Sequence, residues 1–207
     1  MTYNNPNING STWSKLNILE TLRKRNPLVI CITNDVVRTF TANGLLAIGA
    51  SPVMSECSED LEDLIVHASA LLINIGTVTP DKVTYYKEAI TLAKAHEVPI
   101  VLDPVGCHAG AYRLSVVLDL IKTDAISLLR GNQSEIKAIY DALNTNHKVN
   151  NSLSGKGVDG EQVEDSAIIT YRLARQISCP VVATGEEDYV SDGTRVFAVP
   201  HGHPIMT

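Results

Sequence analysis

Short runs of apolar, often β-branched residues recur along this chain and alternate with segments of helical periodicity. The runs that predict strands are 28–32, 70–75, 99–102, 124–128 and 180–183. Each run is bounded by turn residues, a pattern typical of strands buried on both faces of a sheet. The intervening segments predict helices over about 13–26, 35–48, 58–68, 80–96, 110–122, 132–143 and 161–177. Strands that alternate with helices form right-handed βαβ units, so the sequence predicts an α/β fold with a mostly parallel sheet.

The organisation of the chain indicates one domain, which 207 residues are sufficient to form. We predict a loose, Asn-rich arm over 1–12 and a single α/β domain over 13–207. Within it, the polar stretch 144–160 predicts a long surface loop, because the strand and helix pattern resumes after it. An Asp-Gly turn lies between two apolar runs within 188–199 and predicts a hairpin. The parallel region should therefore finish in an antiparallel edge.

Composition excludes several classes of function. The formal net charge is −6 and the sequence has no basic block, so we expect no nucleic-acid binding. No apolar run approaches the roughly 18 residues that span a bilayer, and the N-terminal residues are polar, so we expect neither a membrane span nor a secretion signal. The four cysteines are scattered without Cys-x-x-Cys spacing. Reduced thiols in a cytoplasmic protein are therefore the better interpretation.

Polar residues follow the apolar runs at the ends where ligands bind in open parallel sheets. They occur at five ends: Thr33–Asp35, Asn74, Asp103, Arg130–Glu135 and Thr184. Asp103 could help to hold Mg²⁺, which prefers one or two carboxylates together with phosphates and water. An Asp-Pro turn explains the same residue without any function, and this position alone does not separate the two interpretations.

The segment Arg130-Gly-Asn-Gln-Ser-Glu135 is the sharpest local signal. Arg130 could reach phosphate oxygens through its planar guanidinium group. Asn132 and Glu135 have the spacing of a capping box for the helix that follows, and they could also lie near a metal ion. A helix N-terminus favours phosphate, so both interpretations can hold. The capping box does not explain Arg130.

Two further strand ends are weaker candidates. Thr184 precedes Gly185 and an acidic turn, and its hydroxyl could bind a nucleotide phosphate, although turn chemistry is sufficient to explain it. Met54 ends a short strand, where a thioether can line an apolar pocket or simply belong to the core. Asn34 has a sufficient explanation as a helix cap. Cys107 precedes His108, but neighbours in sequence rarely face each other, so no nucleophile is assigned.

Read together, these segments resemble the hydroxyethylthiazole kinases of the ribokinase-like superfamily. The resemblance covers residues about 26 to 207, in order and with matching spacing. It is carried by 32–36 (ITNDV), 40–44 (FTANG), 49–55 (GASPVMS), 72–77 (LINIGT), 101–105 (VLDPV), 130–135 (RGNQSE), 157–159 (GVD), 183–188 (ATGEED) and 202–204 (GHP). It implies a three-layer sandwich with helices on both faces of a mostly parallel sheet. It also implies ATP-dependent phosphorylation of the hydroxyethyl group of 4-methyl-5-(2-hydroxyethyl)thiazole in thiamine salvage.

The same resemblance implies roles for particular residues. Met54 corresponds to the methionine that contacts the thiazole, and Arg130 and Thr184 correspond to ATP contacts. Asp103 and Glu135 correspond to the acidic residues near Mg²⁺ and the phosphates. The family is typically a homotrimer with active sites between subunits, so we expect that assembly here.

The resemblance also implies an element that the sequence does not contain. Family members continue beyond the Gly-His-Pro turn at 202–204 into a Gly-x-Gly-Cys element and a helical segment. Here the sequence ends at Thr207, so we expect a domain incomplete at its C-terminus and impaired activity. None of the four cysteines is assigned as the catalytic one, since none follows a Gly-x-Gly sequence.

Three alternatives stay open at this point. The chain could be a non-catalytic remnant that binds nucleotide or thiazole. It could be another kinase of the superfamily, acting on hydroxymethylpyrimidine or a sugar, although the segment around Met54 argues against this. It could also be a generic α/β binding protein, which would show no Mg²⁺-dependent phosphorylation of any alcohol.

Overall fold

A computed structural model describes residues 17–144 and 166–200 of the chain. The helices are α1 (Ile18–Arg25), α2 (Arg38–Ile48), α3 (Ser58–Ile65), α4 (Pro80–Ala95), α5 (Ala111–Ile121), α6 (Gln133–Asn144) and α7 (Ser166–Gln176). The strands are β1 (Leu28–Ile32), β2 (Ser51–Met54), β3 (Ala70–Asn74), β4 (Ile100–Asp103), β5 (Leu128–Asn132), β6 (Val181–Thr184), β7 (Asp188–Ser191) and β8 (Val196–Val199). A 3₁₀ turn, Cys107–Ala109, precedes α5. The predicted arm over 1–12, most of the loop over 144–160, and the Gly-His-Pro turn lie outside the described residues.

The strands form one sheet in the order β2-β1-β3-β4-β5-β6-β7-β8. The first six strands are parallel, and β7 and β8 add an antiparallel hairpin at one edge. The predicted α/β class, the mostly parallel sheet and the antiparallel edge are therefore confirmed. The carboxyl ends of all six parallel strands meet at one edge of the sheet, where the sequence places its polar residues.

The core lies on one face of this sheet. Alternate strand residues point to the same face, and one alternation is buried throughout: Ile30, Ile32, Leu71, Ile73, Ile100, Leu102, Leu129 and Val181. Helices α3 to α7 supply the side chains that pack with them, such as Leu61, Tyr86, Val117 and Ile136. Helices α1 and α2 contribute no buried residue. Most residues of the other alternation are only half-buried, among them Val29, Leu72, Val101 and Leu128.

Local signals place several helix ends. Thr79 caps α4 through a hydrogen bond that its hydroxyl accepts from the Lys82 amide at 3.3 Å, and Pro80 occupies the first helical position, as predicted. The predicted cap of α2 is wrong, because that helix begins at Arg38 rather than near 35. Asn34 instead closes a turn before it, since its Oδ1 accepts from the amides of Val36 and Val37 at 2.9 and 3.2 Å.

The fifth strand is displaced from its prediction. The apolar run 124–128 is mostly a connection, and β5 is Leu128–Asn132. Its register explains the displacement, because Leu129 to Asn132 pair with Val181 to Thr184. Arg130 therefore lies within a strand rather than after one. Within the described segments, no helix combines the length and apolar character needed to cross a membrane.

Candidate active site

The strand register aligns a row of polar side chains at the carboxyl edge. Asn74 pairs with Asp103, and the step beyond the Leu102–Leu129 pair brings Asp103 beside Arg130. Residues opposite each other on neighbouring strands point to the same face, so the three side chains share one face. This is the half-buried face, opposite the core. The polar residues predicted at separate strand ends are thus brought together.

A buried hydrogen-bonded chain links β1, β3 and β4 at this edge. Asn34 Nδ2 donates to Asn74 Oδ1 at 2.8 Å, and Asn74 Nδ2 donates to Asp103 Oδ2 at 2.9 Å. The Gly76 amide also donates to Asn74 Oδ1, at 2.9 Å. A Cβ atom on Gly76 would lie 2.3 Å from Asn34 Nδ2, so only glycine leaves room for this chain. We refer to Asn34, Asn74 and Asp103 as the asparagine relay.

Asp103 is the most strongly perturbed carboxylate at the edge. Its side chain is 17% exposed, and Arg130 Nη1 lies 3.9 Å from its Oδ2. Burial raises the pKa of Asp103 to about 6, while Arg130 opposes the rise, Glu135 adds to it and the Asn74 hydrogen bond opposes it. A buried carboxylate with a raised pKa beside a half-exposed arginine is typical of functional sites. Arg130 keeps half of its side chain in solvent, where it can reach an anionic ligand.

Glu135 joins two of the edge segments through the backbone. Its Oε2 accepts from the Asn132 amide at 2.8 Å, and Asn132 Oδ1 accepts from the Glu135 amide at 2.8 Å. The capping box read from the sequence is therefore present. In addition, Glu135 Oε1 accepts from the Gly106 amide at 2.7 Å, which ties the loop after β4 to the start of α6. Sequence reasoning missed this contact, and the proximity of Glu135 to a metal ion stays a prediction.

Thr184 lies beside this group on β6, where it pairs with Asn132. Its hydroxyl donates to the Gly131 carbonyl at 3.3 Å and is half-buried. The turn after it is held by the Gly185 amide, which donates to Asp188 Oδ1 at 2.9 Å. Gln133 braces the same turn, since its Nε2 donates to the Glu187 carbonyl at 3.0 Å. Gln133 was not predicted from the sequence, because a contact between residues 54 positions apart leaves no local signal.

Met54 lies at the carboxyl end of β2, at the far edge of the parallel sheet. It lines a cleft of about 490 Å³ together with Val53, Ser55, Glu56, Cys57, Asp60, Asp63 and Leu64. Glu56 is paired with Arg38 from the start of α2. Three strand spacings separate β2 from β4, which corresponds to about 14 Å. The Met54 cleft and the Asp103–Arg130 pair are therefore neighbouring parts of one edge rather than one contact.

Three of the four described cysteines are buried, whereas Cys57 is exposed in the Met54 cleft. Cys107 is 1% exposed, and burial, its largest influence, together with Glu135 strongly raises the pKa of its thiol. Its Sγ donates to the Glu135 carbonyl at 3.6 Å. Cys31 and Cys179 are also buried, and burial raises both thiol pKa values to about 11.

The donor set bears on the predicted magnesium ion. Among residues 17–144 and 166–200, no group of three or more His, Cys, Asp or Glu side chains could hold a metal. Asp103 nevertheless has one oxygen, Oδ1, to which no described residue donates. One available carboxylate oxygen beside an arginine fits an Mg²⁺ ion whose other ligands are phosphates and water. It does not fit a site in which the protein supplies all the ligands.

Fold and edge together define an α/β protein of the ribokinase type, with its polar residues at the carboxyl ends of the strands. An adenosine kinase from Sinorhizobium meliloti shares this fold at a TM-score of 0.52 and 14% identity, covering 82% of this chain and 56% of that one. The hydroxyethylthiazole kinase structure from Pyrococcus horikoshii OT3 is more similar, with a TM-score of 0.79 and 39% identity. It covers 91% of this chain and 67% of that chain.

Sequence comparison is more specific. The model of the hydroxyethylthiazole kinase family matches residues 19–207, and the chain belongs to this family. It is 50% identical to a hydroxyethylthiazole kinase of Streptococcus agalactiae serotype III over 188 residues, which are 91% of this chain and 70% of that protein. A hydroxyethylthiazole kinase of Streptococcus suis is 48% identical, over 91% of this chain and 69% of its own length. The expected family and fold class are thus confirmed.

Proposed function

We propose that this protein transfers the γ-phosphoryl group of ATP to the hydroxyethyl group of 4-methyl-5-(2-hydroxyethyl)thiazole, a step of thiamine salvage. Membership of the family supports the reaction class. The observation that carries the proposal for this chain is the Asp103–Arg130 pair on one face of the carboxyl edge. Phosphoryl transfer requires positioning and charge neutralisation more than covalent chemistry, and this pair can supply both.

The proposed roles follow the order of the strands. Arg130 would neutralise phosphate oxygens, and Thr184 would contact the nucleotide from the neighbouring strand β6. Met54 would contact the thiazole in the cleft at β2, so that the alcohol points along the edge toward the phosphates. When bound, Mg²⁺ would spread the negative charge of the phosphates, with Asp103 as the nearest carboxylate. Glu135 would lie near the metal ion as well, and its carboxylate would position the loop after β4 through the hydrogen bond from the Gly106 amide.

A coupled assay with purified protein tests the proposal. We expect Mg²⁺-dependent formation of the thiazole phosphate from ATP, with a kcat/KM higher by about tenfold or more than for hydroxymethylpyrimidine or ribose. A preference for either of these alcohols would assign the chain to a different kinase of the same fold. Phosphorylation of none of them would contradict the proposed reaction.

Binding without turnover is a second candidate function. It is favoured by the Asp103–Arg130 pair, because a half-exposed arginine can bind an anionic ligand without any step that transfers a group. Calorimetry separates the two candidates. Binding of ATP and thiazole at stoichiometric levels without product formation would support the binding protein and contradict the kinase.

We also propose a cytoplasmic homotrimer. Unpaired thiols fit a reducing compartment. Helix α2 and the turn before it expose apolar side chains, with Phe40 81% and Val36 85% exposed, and such side chains are typical of surfaces that associate. Sedimentation velocity of the wild-type protein and of Phe40→Glu tests the assembly. A trimer that dissociates in the variant is the expected result, and a monomeric wild type would contradict it.

A further inference from the structure

Asn74 is a buried amide whose hydrogen-bonding atoms are directed into the polar row. It is 5% exposed at the last position of β3. Its Nδ2 donates to Asp103 Oδ2, and its Oδ1 accepts from both Asn34 Nδ2 and the Gly76 amide. Two residues earlier on the same face, the strand carries Leu72. The change from an apolar to an amide side chain therefore occurs at the position that meets Asp103.

The contacts of Asn74 restrict which residue type can occupy its position. A leucine could donate nothing to Asp103 and would leave the Asn34 amide and the Gly76 amide without an acceptor. An aspartate would keep the acceptor but would place a second carboxylate against Asp103. Buried polar groups are costly unless they are paired, and the relay pairs both polar atoms of Asn74 and one oxygen of Asp103. A purely structural position on the strand would be filled more simply by an apolar side chain.

The relay also determines which oxygen of Asp103 is available. Oδ2 accepts from Asn74 on one side and lies 3.9 Å from Arg130 on the other. Within the described part of the chain, no group donates to Oδ1. A carboxylate held through one oxygen cannot rotate freely, so the other oxygen keeps a fixed direction. A carboxylate oxygen with a fixed direction and no protein donor is suited to binding a ligand.

We infer that Asn74, supported by Asn34, is a positioning residue that fixes the Asp103 carboxylate so that Oδ1 faces the bound phosphates. The inference deepens the proposed function and rests on it. In this role, Asn74 contacts Asp103, Asn34 and the Gly76 amide, and it acts on the substrates only through Asp103. It acts by holding the acid in the direction that the transferring group requires, which lowers the cost of reorganisation during the reaction.

The first experiment compares Asn74→Leu with a matched control, Ser127→Ala. Ser127 Oγ accepts from the Ile100 amide at 3.0 Å. The control therefore removes a hydrogen bond at the start of β4, whereas Asn74→Leu removes one at Asp103, at the end of β4. We expect Asn74→Leu to lower kcat about tenfold to a hundredfold, as the loss of a hydrogen bond to a charged group does. The KM for the alcohol should stay within about twofold of wild type, and Ser127→Ala should keep the wild-type kcat.

Outcomes of this comparison separate two failures. If the wild type turns over and Asn74→Leu is no slower than Ser127→Ala, the positioning role is overturned while the proposed function stands. If the wild type phosphorylates no alcohol, the proposed function fails, and this inference fails with it. A kcat that falls together with a large rise in the alcohol KM would also overturn the inference, because it would indicate general distortion of the site.

A second pair of variants serves if Asn74→Leu does not fold. Asn74→Asp places two carboxylates in contact, whereas the double exchange Asn74→Asp with Asp103→Asn restores one amide and one carboxylate in reversed order. We expect the exchange to recover most of the Tm lost in Asn74→Asp but not the kcat, because its carboxylate has moved one strand away. An exchange that recovers no Tm would overturn the hydrogen bond as the coupling between the two strands.

Discussion

The two faces of the central sheet are built by the same strands, yet they differ in burial and in the polarity of their carboxyl edge. On one face, Ile73 and Leu102 are 0% exposed and pack beneath helices α3 to α7. On the other face, Leu72 and Val101 are half-buried. The next residues on this face, two positions further along each strand, are Asn74 and Asp103. The alternation of side chains along a strand thus places the packed core on one face and the polar row on the other.

This division explains why the carboxyl edge can carry an unfavourable residue. The buried face supplies the hydrophobic stabilisation of β4 through Ile100 and Leu102. Asp103, on the same strand, then costs stability, because it is largely buried and its ionised form is disfavoured. Such local costs are expected at functional positions, where the rest of the fold compensates for them.

The largest effect is expected when one residue on each face of β4 is replaced and the changes in the free energy of unfolding are compared. Leu102→Ala should lower the free energy of unfolding by about 2–5 kcal/mol, because it leaves a cavity in a fully packed core. Val101→Ala, the matched control on the other face, should cost about 1 kcal/mol, since its side chain is only half-buried. Urea titration of both variants measures the difference. Equal losses would show that the two faces are packed alike.

The second test separates activity from stability at one position. Asp103→Asn retains an oxygen that can accept from Asn74 but removes the charge. We expect kcat to fall about a hundredfold to a thousandfold, as for loss of a preorganised electrostatic group. The same variant should unfold at a higher urea concentration than wild type at pH 8. Loss of both activity and stability would contradict the assignment of chemistry to this face.

The pH dependence gives the sign of this stability effect. Burial raises the pKa of Asp103 to about 6 from an ordinary value of 3.8, so between these values the folded protein binds the proton more tightly than the unfolded chain. The contribution of Asp103 to the free energy of unfolding of the wild type should therefore decrease as the pH rises from about 4 to 6. The difference corresponds to about 3 kcal/mol at most. Asp103→Asn should lack this decline, so the two urea midpoints should diverge across that window in buffer containing a chelator.

The difference between the faces also explains what could be predicted from sequence. Runs such as 28–32 and 70–75 identified their strands because β-branched apolar residues fill both alternations up to the edge. The Thr79–Pro80 helix start and the Asp-Gly hairpin were predicted because each depends on a few neighbouring residues. Polar residues at successive strand ends predicted the shared edge, because parallel strands bring those ends together.

The failures have the opposite cause. The prediction for β5 is wrong because the half-buried face of this strand carries Arg130 and its core face ends in Gly131, so the strand lacks a continuous apolar run. The bond from the Gly106 amide to Glu135 joins segments 29 residues apart, and the relay joins Asn34 to a partner 40 residues away. Sequence order carries no signal for which polar atoms meet. Only the register between strands determines it.

A third, smaller effect is expected at Arg130, whose side chain is half-exposed on the face that carries Asp103. Arg130→Ala should raise the KM for ATP about tenfold to a hundredfold, because a charge-assisted contact to phosphate is lost. Arg130→Lys should recover only part of this, since lysine lacks the planar pair of donors. Initial-rate kinetics with varied ATP measure both variants, and the urea midpoint should hardly change. Unchanged ATP kinetics in Arg130→Ala would remove this residue from the proposed site.

The smallest effect is expected at Met54, where the sheet edge carries neither a full core nor the polar row. Its side chain is half-buried against the cleft between β2 and α3, so truncation to alanine removes apolar contact worth about 1–1.5 kcal/mol. Met54→Ala should therefore raise the KM for the thiazole alcohol about tenfold and leave the KM for ATP unchanged. Met54→Leu, which retains most of the apolar volume, should stay close to wild type. If both KM values rose together in Met54→Ala, the cleft would be structurally coupled to the Asp103–Arg130 pair rather than a separate subsite of the same edge.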